Sequence, residues 1–228
     1  IPLVNHPGTR WNYGVSTDVL GYLVEVVSGM TLDRFLAERV FAPLGMVDTA
    51  FSVPASKLDR FCSLYGPSED GKMKLLDPVD GHYVEGRVTT FSGGGGLVST
   101  LSDYYRFLRM LCQRGELEEA RLLGRKTVEY MTTNHLPGEL AAMGQASFNE
   151  TTFAGIGFGL GFAIMLDPVR SGVMGSPGEY SWGGMASTTF WVDPVEDMTV
   201  IFLTQLSPSD TYPLRRELRV LTYQALID

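Results

Sequence analysis

Tyr180-Ser181-Trp182-Gly183-Gly184-Met185 lies inside an extended stretch, 178–192, which Asp193-Pro194-Val195-Glu196-Asp197 connects to a second one, 198–205. The connection is rich in turn-forming residues, so the two stretches read as strands joined by a hairpin loop. Upstream, Gly157-Phe158-Gly159-Leu160-Gly161-Phe162-Ala163-Ile164-Met165-Leu166 reads as a further strand with small residues on one face. Downstream, Leu214 to Ile227 has the periodicity of an amphipathic helix. Residues 155–228 are therefore expected to form an antiparallel meander with a terminal helix to cover it.

The preceding residues, 1–154, are mostly helical in pattern. A helix is predicted to start near Ser16, capped by Ser16 or Thr17, with Asp18 in its first turn. Val19, Leu20, Leu23, Val26 and Val27 give it an apolar stripe, and Ser28-Gly29 ends it. Thr31 can cap the next helix, where Arg34 stands in the place of a capping-box Glu. Leu32, Phe35, Leu36 and Val40 are its buried face. Pro43-Leu44-Gly45-Met46 closes it and leads to a short extended piece, Thr49 to Val53. Residues 59–65 and 72–76 read as short strands, and 102–114 and 125–133 as helices. Gly93-Gly94-Gly95-Gly96 is costly in conformational entropy, so its backbone is expected to pass through a crowded or left-handed site. The fold class is α+β: an antiparallel sheet flanked by helices, plus a mostly helical region. The divide falls at residues 154/155, and the two regions are expected to belong to one catalytic unit.

Composition narrows the function. The chain has 228 residues, 44% of them hydrophobic, which is enough for a sizeable core. Its net charge of −8 argues against a nucleic-acid partner, which needs clustered Lys and Arg. The adjacent basic pairs, Arg125-Lys126 and Arg215-Arg216, read as ordinary helix-face residues. No apolar run reaches membrane-spanning length, so no membrane partner is expected. Cys62 and Cys112 form no metal-ligand pattern; two buried thiols are expected, and a disulfide stays open. There is no G-x-S-x-G elbow, no H-E-x-x-H and no Walker loop. His6, His82 and His135 are scattered, and they read as surface or capping residues. No metal and no organic cofactor is implied.

Two local patterns stand out: Pro7-Gly8-Thr9-Arg10-Trp11-Asn12-Tyr13-Gly14-Val15-Ser16-Thr17-Asp18-Val19-Leu20-Gly21, and the Tyr180–Met185 stretch. In this order they resemble the second and third motifs of the serine β-lactamase and penicillin-binding-protein superfamily, as found in class C β-lactamases and family VIII carboxylesterases. Gly94-Gly95-Gly96-Leu97-Val98-Ser99-Thr100 resembles the glycine-rich passage between them. Phe41, Pro43-Leu44-Gly45-Met46, Thr49 and Phe51 match a further family run. The resemblance spans nearly the whole chain and implies a β-lactamase/transpeptidase-like fold.

The resemblance gives Tyr13 the role of the second-motif tyrosine, a phenol that relays a proton beside a cationic lysine. Read alone, Tyr13 is more simply a packed aromatic, and it is the resemblance that favours the catalytic role. Trp182-Gly183-Gly184 takes the third-motif position, where β-lactamases usually have Lys-Thr-Gly. An indole suits a neutral ester better than an anionic drug, and the glycines let substrate lie close to the strand; a Trp-Gly-Gly could also mark a bulge. The same alignment makes the Met185 backbone N–H an oxyanion-hole donor. Val15 stands where the family usually has Asn, which also points away from lactamase and toward esterase.

The first motif, Ser-x-x-Lys, is missing. Three residues before Lys57, Lys72, Lys74 and Lys126 stand Pro54, Glu69, Gly71 and Leu123. In the family this motif precedes the tyrosine motif, so it is expected upstream of Ile1, and the chain is expected to be incomplete at its N-terminus. Its partners would then be a small-molecule ester and the missing N-terminal portion of the same protein. Alone, the chain should expose a sheet edge and a bare helical face. The expected activity is hydrolysis of short-chain carboxylic esters through an acyl-enzyme. The alternatives are a β-lactamase, D-aminopeptidase or amide hydrolase on the same scaffold, or a non-catalytic β-lactamase-like binding module.

Overall fold

The computed structural model describes residues 2–148 and 151–227. The chain folds into two compact units that interleave in sequence. A sheet unit takes the residues up to Tyr13, Lys126–Thr204 and those from Pro208 on; a helical unit takes Gly14–Arg125 and Gln205–Ser207. The divide at 154/155 follows secondary-structure content, whereas these units follow packing.

In the helical unit, α1 spans Ser16–Ser28. Its N-cap is Val15, with no side-chain hydrogen bond, so the cap expected from Ser16 or Thr17 is not made. Gly29, left-handed at φ 69°, ends it as expected. Gly21 is its buried residue, while Leu20, Leu23, Val26 and Val27 are exposed. α2 (Leu32–Leu36) starts at Thr31, whose side chain does not cap. Instead the Glu25 carboxylate of α1 accepts the Leu32 N–H at 2.8 Å, so one helix caps the next. A π-helical turn, Ala37–Phe41, continues α2 into α3 (Ala42–Leu44), which Gly45 ends.

Residues 55–60 form a 3-10 helix, not the start of a strand. Residues three apart eclipse in that geometry, which brings Lys57 and Arg60 together on Asp48, at 2.6 and 2.9 Å. These two cations hold the Asp48 carboxyl down to about 2, the Arg60 hydrogen bond first. β1 (Leu64–Pro67) pairs antiparallel with β2 (Met73–Asp77). Residues 49–53 contribute only isolated bridges, Ala50 with Val98 and Val53 with Val84. The four glycines run beside α1, where a Cβ on Gly93 would collide with the Thr17 carbonyl and Gly96 is left-handed at φ 88°. The crowded, left-handed passage expected from the sequence is thus what they make. α4 (Leu101–Cys112) starts at Thr100, whose hydroxyl accepts the Asp103 N–H at 3.2 Å. A small hairpin of β3 (Glu116–Leu117) and β4 (Ala120–Arg121) follows. Cys62 and Cys112 are not joined in a disulfide; against the expectation of burial Cys62 is exposed and Cys112 half-buried.

The sheet unit opens with α5 (Arg125–Met131), followed by the two-residue pair β5 (Ser147–Phe148) and β6 (Thr151–Thr152). Its core is a five-stranded antiparallel meander: β7 (Ile156–Phe158), β8 (Ala163–Met165), β9 (Tyr180–Gly183), β10 (Thr189–Asp193) and β11 (Met198–Phe202). The single strand read at 157–166 is a hairpin. Gly161 takes φ 93°, and the Gly159 N–H donates to the Phe162 carbonyl at 2.8 Å, so the chain reverses there. The stretch 178–192 likewise breaks into β9 and β10 around a turn in which Ser187 adopts φ 64°. A short helix, α6 (Pro168–Ser171), lies between β8 and β9.

α7 (Leu214–Tyr223) packs on Trp191 of β10, which is 1% exposed. The Arg219 guanidinium sits 4.5 Å over its ring, and the Tyr223 ring stacks 6.4 Å from it. Arg219 and the Tyr223 hydroxyl both bond the buried Glu179 carboxylate, at 2.7 and 2.9 Å. Burial, then the Glu179 charge, pushes the Tyr223 phenol far above its ordinary range. On the other side of the sheet Phe162 meets Tyr180 and Phe190 edge-on.

Candidate active site

The site grows from an irregular segment, 7–13, anchored to the turn after the 3-10 helix Ala141–Met143. Trp11 N–H donates to the Met143 carbonyl, and Tyr13 N–H donates to the Gln145 side-chain carbonyl, both at 3.2 Å. Gly144 takes φ 104° between those two acceptors, with the Arg10 side chain against it. Residues two apart in an extended segment share a side. Trp11 and Tyr13 accordingly present their rings together, centroids 6.4 Å apart.

From the sheet comes Trp182. The Tyr13 ring stacks on it, 6.2 Å between centroids and 15° between planes. Phe158, at the end of β7, meets Trp182 edge-on at 5.6 Å and Trp11 at 5.1 Å. Trp11, Phe158, Trp182 and Tyr13 therefore form a closed cycle of four rings, with Phe153 behind Trp11 at 5.8 Å. Such contacts fix ring orientation as well as burying area. Tyr13 is nonetheless 50% exposed, so the cycle leaves half of its surface to solvent.

β9 carries Trp182 past the end of its neighbour. β8 begins at Ala163, opposite Ser181, so Trp182 and Gly183 pair only with Phe190 and Thr189 of β10. Among the described residues no strand pairs with their other edge. A Cβ on Gly183 would lie 2.8 Å from the tip of the Arg215 guanidinium of α7 and 3.1 Å from the Thr188 carbonyl, so the arginine would have to shift; a Cβ on Gly184 would collide with the Thr188 hydroxyl. Arg215 donates to the Gly184 carbonyl at 2.8 Å and the Thr188 carbonyl at 3.4 Å, pinning the turn between β9 and β10. It is thus more than a helix-face residue. The Gly184 N–H closes the turn on the Thr188 carbonyl at 2.9 Å. Met185 stands at the tip, 73% exposed, and among the described residues nothing accepts its N–H.

The structure therefore brings together Tyr13 and Trp182 from opposite ends of the chain, with Gly183, Gly184 and Met185 on the strand and turn that follow Trp182. Together they make a half-exposed tyrosine, an aromatic wall, a strand end beyond the β8 pairing and a backbone donor. No group of metal-ligating side chains occurs among the described residues, and none of their helices is long and apolar enough to cross a membrane. A cavity of about 80 Å³ in the helical unit is lined by Asp48, Lys57 and Arg60, whose charges satisfy one another. The sequence places Phe158 in an extended stretch without assigning it to the site, and it does not single out Gln145. The Gln145 contact, a side chain bonded to a distant backbone N–H, leaves no local signal.

A family model for β-lactamase matches residues 1–224. The chain belongs to the β-lactamase family. Among proteins similar to it is an uncharacterized protein of Mycobacterium tuberculosis, 36% identical over 91% of this chain and 52% of that protein. Lovastatin esterase of Penicillium rubens is 32% identical over 84% of this chain and 49% of its own. The structure of simvastatin synthase from Aspergillus terreus superposes with a TM-score of 0.82 at 26% identity, over 100% of this chain and 59% of that one. The chain spans about half the length of the curated relatives it matches. The α+β fold expected from the sequence, with its antiparallel sheet and flanking helices, is the β-lactamase/transpeptidase-like fold of these neighbours.

Proposed function

We propose that this chain supplies the proton-relay and oxyanion side of a serine esterase that acts through an acyl-enzyme. The stacking of Tyr13 on Trp182 carries this reading. It sets an exposed phenol beside an apolar wall, on the strand that leads to the Met185 N–H. The nucleophile is a serine of a Ser-x-x-Lys segment outside these residues, since no lysine here has a serine three residues before it.

In this reading the serine Oγ attacks the ester carbonyl carbon. Its proton passes through the lysine and Tyr13 to the departing alkoxide, the ester C–O bond breaks, and an acyl-enzyme remains. Water then attacks the acyl carbon, gives its proton to the same pair, and releases the acid while the serine recovers its hydrogen. The Met185 N–H donates to the oxyanion in both steps. Two features favour a neutral ester over a β-lactam: an indole at Trp182 where β-lactamases carry a lysine, and Val15 where the family usually has an asparagine. The remainder of the same polypeptide is the partner this reading requires, and the exposed apolar stripe of α1 suits one.

The test uses the full-length protein. One fluorophosphonate label per molecule and rapid hydrolysis of a short p-nitrophenyl ester are expected. Absence of label overturns the serine mechanism. Hydrolysis of a chromogenic cephalosporin as fast as the ester overturns the preference for esters.

A further inference from the structure

The geometry points to Gln145 as the positioning residue that holds Tyr13 in register with Trp182; this rests on the esterase reading above. Tyr13 is 50% exposed, and its ring is supported by Trp182 and Trp11, with Phe158 behind both. Stacked rings resist tilting but slide over one another more freely, because dispersion between parallel faces changes little with lateral shift. What fixes the lateral position of a ring is its own main chain. Tyr13 belongs to an irregular segment with no ladder to hold it, and two hydrogen bonds stand in for one. Trp11 N–H reaches the Met143 main-chain carbonyl, and two residues on Tyr13 N–H reaches the Gln145 side-chain carbonyl, each at 3.2 Å.

The second bond replaces a main-chain acceptor by a side chain because Gly144, at φ 104°, turns the backbone between the two positions. The Gln145 amide is itself oriented: its Nε2 donates to the Ser147 carbonyl at 3.5 Å, and its own N–H donates to the Leu140 carbonyl at 3.4 Å. Leu140 is fully buried, so the clamp is tied to the core of the sheet unit. A carbonyl acceptor of this length at residue 145 therefore helps set the place of the Tyr13 main chain and, through it, of the ring. Gln145 touches no reacting atom; it acts through the main chain of Tyr13.

The experiment compares Gln145→Met, similar in size without an acceptor, with Gln145→Glu, which keeps one, in the full-length protein on a p-nitrophenyl ester. We expect Gln145→Met to lower kcat at least about tenfold with KM little changed, as for a misplaced catalytic group, and Gln145→Glu, which keeps the acceptor but loses the Nε2 donor to Ser147, to recover part of the loss. In a Tyr13→Phe background, Gln145→Met should cost nothing further, because the group it positions is gone. A wild-type kcat for Gln145→Met, or a full additional loss in the Tyr13→Phe background, overturns the positioning role. If Tyr13→Phe alone keeps the wild-type rate, the esterase reading of Tyr13 fails instead, so the two failures are separable. Equal losses in Gln145→Met and Gln145→Glu, with a lowered melting temperature in both, also overturn it, since they mark a structural side chain.

Discussion

Tyr13 lies parallel to Trp182, its ring 15° from the indole plane and 6.2 Å away between centroids. The pair joins the start of the chain to the open end of β9. In the proposed reading it also makes the indole a wall of the place where the phenol works. Trp182→Ala is therefore expected to change selectivity more than rate: the ratio of kcat/KM across p-nitrophenyl esters of increasing acyl length should shift severalfold. An unchanged profile would remove Trp182 from the pocket.

Tyr13→Phe keeps the ring stack and deletes only the hydroxyl. The expected loss in kcat is at least about a hundredfold, the range for a general acid–base group. The melting temperature should stay close to wild type, because the aromatic cycle is intact. Single-turnover and steady-state rates near wild type would assign the proton transfer elsewhere.

Arg219→Met strips the guanidinium from Glu179, which is 1% exposed, and from the face of Trp191. Removing one member of a buried pair leaves an uncompensated charge and typically costs about 3–5 kcal/mol. A matching fall in the urea midpoint is expected. Arg219→Lys should fall between, since an ammonium cannot make the forked contact.

Asp48 gives an acid-dependent term. Its carboxyl is held at about 2, below the ordinary 3.8, by Arg60 and then Lys57. A carboxyl with a depressed folded value stabilises the fold above its unfolded value and loses that contribution as pH falls through the folded one. The contribution should be complete at pH 5 and fade between about pH 4 and pH 2. Measured as melting temperature, the wild-type protein should lose more over that window than Asp48→Asn. Parallel acid profiles for the two would mean that solvent screens the pair.

The strand and helix content of residues 155–228 was legible because alternation and turn residues are local signals, as was the end of α1 at Gly29. Breaks inside strands were not. Residues 157–166 have the composition of one strand, and only the Phe162 carbonyl meeting the Gly159 N–H across Gly161 makes them two. The cap of α2 was misplaced for a related reason, since Glu25 outcompetes Thr31 from the preceding helix.

By itself the sequence determined the fold class, the family resemblance and the pairing of a tyrosine motif with a Trp-Gly-Gly strand, because these depend on residue types at short spacing. Only the tertiary structure decided that Tyr13 and Trp182 stack, that Phe158 and Trp11 close the ring cycle, that Arg215 packs against Gly183, and that the Gln145 side chain accepts the Tyr13 N–H. Each of these is a contact between segments distant along the chain. Its geometry follows from how the sheet and its loops pack, which no local pattern encodes.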